Sequence, residues 1–367
     1  MWARRQTGPV VPNGRPTHGG FIPVSRRLRI AMIAPPWFDL PPEGYGGIEY
    51  MCSYLVDGLV DRGHQVTLVS SGRNGTKAQH LRTYEFPQWR RLGEPLPDLV
   101  HAASVRHILR SMEIDVIHDH SLMGPLLAEE RAVPTVVTAH EPVAGDYRKY
   151  FSLLGNSVRL VAISSSQRMS APDMNWCATV HNGIDPASFR FRKEKEDWIL
   201  FLGQCIPHKG MHTAIDAARA AGVRIRIAAK CGEPAEIEYF ESEIRPRLGD
   251  DVDWLGEVGG ERKRSLLSEA RCLIFPIAWD EPFGMVMIEA MASGTPVVAL
   301  NRGSVGEIVD NGVTGIVCDS PADLPAAVER SRHLDPENCR EASVSRFNSA
   351  LMAERYEHVY ESVIESR

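Results

Sequence analysis

The 367-residue sequence predicts an α/β protein made of two doubly wound domains that face each other across a cleft. From Leu28 onward, short runs rich in valine and isoleucine alternate with longer stretches of helical period, the pattern of β-α units around a parallel sheet. The series halts at a dense turn signal, Asn182-Gly183-Ile184-Asp185-Pro186, and then starts again, so two sheets are expected. The length suits two domains of about 100 to 200 residues each.

In chain order, residues 1–27 are rich in Gly, Pro and Arg, with five arginines and no acid before Asp39. They lack the apolar stretch of a secretory leader and read as a flexible basic tail. Five arginines so dispersed make no compact patch, so the tail is not expected to hold the protein on a membrane. Strands are expected at 28–34, 65–70, 115–118, 135–139 and 158–163. After the first of these come Gly44, Gly46 and Gly47, then a helix with Ile48, Met51, Leu55 and Leu59 on one face, closed by Gly63. The first domain is thus read as 28–185 and the second as 186–343, with the hinge at 185–197. In the second, strands are expected at 198–202, 223–229, 272–276, 297–300 and 316–318, with helices at 212–221 and 261–270. A last helix, 344–364, carries Phe347, Leu351, Tyr356 and Tyr360 and is expected to cross back to the first domain as segment 344–367.

Composition limits the function. Lys plus Arg total 41 against 47 Asp plus Glu, a net charge of −6, which argues against nucleic acid as a partner. Seven scattered cysteines with no C-x-x-C spacing fit a reducing cytoplasm. Sheets of this class bind ligands at the carboxyl ends of their strands, so the chemistry is sought there.

Residues 280–299 read DEPFGMVMIEAMASGTPVVA. Pro282 suits a first helical turn, and Phe283, Gly284 and Met285 leave backbone N–H groups at that helix end. Glu281 before the helix and Glu289 inside it could accept hydrogen bonds from two hydroxyl-bearing parts of one ligand. Residues 201–210, FLGQCIPHKG, follow a strand and open a helix. There Lys209 and a helix N-terminus form an anion site, with phosphate the obvious guest. Gly46 and Gly47 permit close backbone approach in the first domain, and Glu49 suits the positive end of the helix that follows. Alternation puts His118 and His120 on one face with Asp119 turned away. No carboxylate or cysteine completes a metal-ligand set with them and His140, so no metal is expected. Trp176, Trp254 and Trp279 are open to core packing or to stacking on a ligand.

The 280–299 string resembles the E-x7-E signature of retaining glycosyltransferases of the GT-B fold, the glycogen-synthase-like and mannosyltransferase-like family of type 4. The resemblance runs from about Leu28 to the C-terminus. It implies a hexose donor linked to a nucleoside diphosphate, UDP or GDP, with Glu281 on the donor sugar and Glu289 on the ribose. Phe283, Gly284 and Met285 match the backbone that touches the hexose hydroxyls. Lys209 and Lys230 match the diphosphate clamp, and Gly46 and Gly47 the loop facing the leaving phosphate. Gly256-Glu-Val258 matches the stretch whose backbone reads the nucleobase. His120 matches the histidine that reaches sugar and acceptor, with His140 beside it. Gln204 stands where the family has arginine, giving up a charge-assisted fork on the diphosphate. The resemblance implies no cofactor beyond the donor, an acceptor that is a small molecule, glycan or lipid, and closure of the two domains over the donor. A non-catalytic sugar-nucleotide binder, a phosphorylase and an epimerase stay open as alternatives.

Overall fold

A computed structural model describes residues 26–366. The basic tail falls outside the described residues except for Arg26 and Arg27. Two parallel sheets are present. The first contains β1 (Arg29–Ile33), β2 (Gln65–Ser71), β3 (Gln79–Tyr84), β4 (Val116–Asp119), β5 (Thr135–Ala139), β6 (Arg159–Ala162) and β7 (Trp176–Thr179), in the order β3-β2-β1-β4-β5-β6-β7. The second contains β8 (Trp198–Gln204), β9 (Arg224–Lys230), β10 (Val252–Gly256), β11 (Leu273–Phe275), β12 (Val297–Leu300) and β13 (Gly315–Cys318), in the order β10-β9-β8-β11-β12-β13. In each sheet the order reverses at the first strand, β1 or β8, which places a crevice at the carboxyl ends of those strands.

Strands β3, β7 and β10 were not anticipated from the sequence. All three lie at sheet edges, where one side of the strand meets solvent and the continuous apolar run disappears. The expected helix at 344–364 is two helices. Pro336–Arg346 ends on the second domain, and Asn348 caps Ser349–Glu365 by accepting the Ala350 N–H at 2.8 Å. Between them the chain crosses back beside the outward crossing: Ile184 N–H donates to Phe347 O at 2.9 Å and Ser349 N–H to Ile184 O at 2.7 Å. Gly183 does not need a positive φ there. A Cβ on it would lie 2.9 Å from Asn348 O, so close approach of the two crossings excludes any larger residue.

The final helix packs on the helix Gly47–Asp61, where Gly58 admits Ala353, and it completes the core of the first domain with Met352, Tyr356 and Tyr360. Both phenols find partners: Tyr356 bonds Thr138 Oγ1 at 2.8 Å and Tyr360 bonds His118 Nδ1 at 2.7 Å. Asp119 turns the other way, onto Arg131 Nη2 at 3.0 Å and the Ser121 N–H and hydroxyl.

Glu49 is buried in the first turn of the Gly47–Asp61 helix, and burial raises its carboxyl from an ordinary 4.5 to about 7. Between those pH values the unfolded chain has released the proton and the folded chain still holds it, so stability falls as pH rises, by roughly 3 kcal/mol in all. Glu49→Gln should therefore be near neutral at pH 4.5 and stabilising at pH 8. Urea unfolding at the two pH values checks this, and an equal effect at both would refute it.

Candidate active-site cleft

A cleft of about 490 Å³ lies between the two domains and is lined from both. The first domain contributes Gly46, Gly47 and His140, and the second Gln204, Lys209, Lys230, Val258, Glu281, Phe283, Gly284, Met285 and Glu289. Twelve of the thirteen side chains or backbone positions singled out from the sequence as donor- or acceptor-facing thus line one cavity, and His120 does not.

Lys209 ends the turn Pro207–Lys209 that follows β8, and Gly210 then starts the helix Met211–Ala220. Gly210 has φ 74°, and a Cβ would fall 2.1 Å from Pro276 O, so only glycine carries the chain through this corner. Lys209 Nζ reaches Glu281 Oε2 at 2.5 Å and lies 4.9 Å from the centre of the Trp279 ring. The Trp279 indole N–H donates to the same Glu281 oxygen at 2.7 Å, so that carboxylate is aimed by two donors. Gly284, at φ 81°, begins the helix Met285–Ala292 without a side-chain cap, which leaves the positive helix end open on the cleft. The Phe283 side chain turns inward against Phe347 at 6.0 Å between ring centres, so it is the backbone of this residue that can serve a ligand.

Glu289 lies deeper, 5% exposed, with Lys263 Nζ 2.7 Å from its carboxylate. Lys230 is opposite, bonded to Glu233 at 2.6 Å and Glu236 at 3.3 Å, and 5.4 Å from the centre of the Tyr45 ring. Burial pulls the Lys230 ammonium down, but the two glutamates hold it above its ordinary value. Gln204 is paired with Lys230 in the β8–β9 register, so the neutral side chain sits beside a cation rather than alone. The Tyr45 N–H donates to Glu257 Oε1 at 3.0 Å, a bond that spans the two domains.

His120 does not line the cavity: it is 5% exposed and, in the β4–β5 register, stands level with Thr138, two residues short of His140, which does meet the cavity. The His120 ring packs, tilted by 43°, against His118 at 4.0 Å between centres, with Nε2 3.2 Å from Met32 Sδ and Nδ1 2.9 Å from His140 Nε2. Thioether sulfur only accepts, so His120 carries its proton on Nε2, His140 donates from Nε2, and His140 Nδ1 keeps a free lone pair. Burial lowers His140 to about 4, and burial first and then its histidine neighbours hold His120 well below its usual range, so both are neutral at pH 7.

The sequence did not point to Lys263, Tyr45 or Glu257. Lys263 has a signal in hindsight: it lies in the first turn of the helix Gly260–Glu269, directly after the Gly256-Glu-Val258 loop. Among the tryptophans, Trp279 is at the site, Trp254 packs on Phe240 at 4.6 Å, and Trp176 donates to Ala171 O at 2.7 Å away from it.

Two facing Rossmann-like domains with this cleft between them are the GT-B architecture. AviGT4, a solved glycosyltransferase involved in avilamycin A biosynthesis, superposes with a TM-score of 0.71 and 27% identity over 93% of this chain and 99% of its own. Anabaena HepE, solved with UDP and glucose, shares the fold at a TM-score of 0.71 and 17% identity, over 92% of this chain and all of its own. The Glycosyltransferase Family 4 model matches residues 45–188, and the Glycosyl transferases group 1 model matches residues 185–342. The chain is a glycosyltransferase of the family-4 type. Its curated relatives include a glycogen synthase of Mycobacterium tuberculosis, 27% identical and covering 84% of this chain and 87% of its own. They also include a phosphatidyl-myo-inositol mannosyltransferase of Mycolicibacterium smegmatis, 26% identical over 78% of this chain and 80% of its own. Among the described residues, no helix is long and apolar enough to cross a membrane.

Proposed function

We propose that the enzyme transfers a hexose, with retention of anomeric configuration, from a UDP- or GDP-linked donor to a hydroxyl of a small-molecule, glycan or lipid acceptor held against the first domain. The observation that carries this reading is the meeting of Lys209 with Glu281, one cavity wall away from the open helix end at Gly284. A cation and a positive helix end suit the diphosphate, and a carboxylate beside them suits the hexose hydroxyls. As the bond from the anomeric carbon to the β-phosphate oxygen breaks, positive charge grows on the sugar and negative charge on the phosphate, so the work is mainly electrostatic.

In this reading, donor binding exchanges carboxylate for phosphate at the lysines. Lys209 leaves Glu281, and Lys230 turns from Glu233 to the diphosphate, which offsets the arginine missing at Gln204. Glu281 is then free to accept from the hexose, still oriented by Trp279. Glu289 takes the ribose hydroxyls, and the backbone at Val258 meets the base. Gly46 and Gly47 let the first domain approach the leaving phosphate. His140, with its Nδ1 lone pair, accepts from a sugar or acceptor hydroxyl, while His120 fixes its tautomer from behind. The acceptor proton goes to the departing phosphate oxygen, and no cofactor enters. Closure of the domains keeps water from the donor. Seven free thiols support a cytoplasmic setting.

A thermal-shift screen of nucleotide sugars should single out one donor, because a ligand bound only by the folded state raises its melting temperature. Proton NMR of the product formed from that donor should then show the donor's own anomeric configuration. An inverted product would end the retaining assignment, and no shift with any UDP or GDP sugar would end the donor assignment.

A further inference from the structure

Cys205 and Cys231 stand opposite each other, immediately behind the cleft-lining pair Gln204 and Lys230. Strands β8 and β9 keep parallel register as far as Gln204 and Lys230, and the Cys205 N–H donates to Lys230 O at 2.9 Å, which carries the ladder one step further. Side chains alternate along a strand, so Gln204 and Lys230 face the cleft while the two cysteines turn to the other side. There Cys205 is fully buried in a core with Met211 and Tyr239, and Cys231, partly exposed, packs against that core. Of the seven cysteines, only these two occupy facing positions on neighbouring strands.

The placement suits a covalent bond. Neighbouring strands lie about 4.8 Å apart, within the range of about 4.4 to 6.8 Å that Cα atoms span across a disulfide. The thiols already interact: burial first and then the bond to Cys231 raise the Cys205 thiol, and the same bond works against the rise that burial causes at Cys231. Cys231 also belongs to the segment that tethers Lys230. Its thiol donates to Glu236 O at 3.5 Å, and the Gly232 and Glu233 N–H groups donate to Glu236 Oε2 at 2.8 and 3.0 Å. The other oxygen of Glu236 accepts from Lys230 Nζ at 3.3 Å.

We propose that Cys205 and Cys231 form a reversible disulfide that weakens binding of the nucleotide-sugar donor, a consequence that rests on the assignment of Lys230 to the diphosphate. The oxidant is a small-molecule disulfide such as oxidised glutathione. The Cys231 thiolate, the more accessible of the two, attacks one of its sulfurs and releases one thiol. The Cys205 thiolate then displaces the second thiol from Cys231. Two protein thiols lose two electrons and two protons, and the oxidant leaves as two thiols. The new bond draws Cys231 towards the core and off Glu236 O. The segment after β9 is then pinned, and Lys230 stays on its glutamates instead of turning to phosphate. Burial raises both thiols, so exchange should quicken as pH rises and thiolate accumulates.

The test incubates the full chain with oxidised glutathione, maps its thiols by mass spectrometry without reductant, and measures Kd for UDP-glucose and GDP-mannose before and after. Two of the seven thiols should disappear with a mass loss of two hydrogens, a peptide joining Cys205 to Cys231 should appear, and dithiothreitol should reverse both. Oxidation should raise Kd for the bound donor about tenfold, the size of one charge-assisted bond. Cys231→Ser should bind donor as the parent does and keep that affinity after the oxidant. Cys177→Ser, which removes an exposed thiol elsewhere, should still form the linkage. A lasting glutathione adduct on Cys231, or a linkage through Cys177, would overturn the disulfide. A fully linked protein with unchanged donor affinity would overturn its effect on the donor site. If the reduced protein bound neither nucleotide sugar, the donor reading would fail and the effect on binding with it, while the peptide map alone would still decide the disulfide.

Discussion

Lys209→Ala should lower kcat for hexose transfer by about 100- to 1,000-fold, the usual cost of removing one preorganised group facing charge that develops in the transition state. Lys209 is held for that role: Gly210 fixes the turn, and the Trp279 ring lies beneath the ammonium. Glu281→Gln should cause a loss of similar size for a different reason, because the amide cannot stabilise positive charge growing on the anomeric carbon. The two groups touch at 2.5 Å, so the double variant should cost less than the product of the single effects. Steady-state kinetics with the donor found by thermal shift, alongside circular dichroism to show an intact fold, decides the matter. Turnover within about threefold of the parent for both single variants would remove the electrostatic mechanism.

Gly210→Ala should destabilise the protein by about 4 kcal/mol or more, the range reached by backbone strain combined with a buried clash. The added methyl meets Pro276 O at 2.1 Å in a conformation, φ 74°, that L side chains rarely adopt. Pro276 lies just beyond β11, so relief of the clash must part β8 from its neighbour or move the lysine turn. Urea unfolding measures the loss, and a change below about 1 kcal/mol would show that the corner is softer than its geometry implies. Any residual folded enzyme should also turn over slowly, because the Lys209 ammonium can no longer reach its partner.

The two-domain architecture and most of the site could be read from the sequence because their signals are local. Interior parallel strands announce themselves as apolar runs, and the lysine turn and the Glu281–Glu289 helix each lie within about twenty consecutive residues. The edge strands were missed because half their surface is wet and the run is diluted with polar residues. His140 was read from the sequence as a cleft neighbour and lines the cavity, whereas the depth of His120 was not legible, because alternation along β4 gives the face of a residue but not its depth: His118 and His120 do share a face, and it is a buried one. Lys263 and the Tyr45–Glu257 bond arise from chain segments far apart in sequence, so spacing carries no trace of them. The crossing back to the first domain was expected, but the break at Asn348 was not: it had a local signal, an asparagine cap, yet the helical period continues across it and hides the division into two helices.

The return of the chain at Asn348 also bears on how the polypeptide is made. The first lobe's core stays open along one flank until Met352, Tyr356 and Tyr360 arrive, and these emerge from the ribosome after the whole second lobe has been translated. At usual elongation speeds that is a delay on the order of ten to thirty seconds, during which an apolar furrow beside the Gly47–Asp61 helix has nothing of its own to fill it. A nascent chain stalled before Asn348 should therefore be a chaperone client, and release of the last helix should end that dependence in a single step.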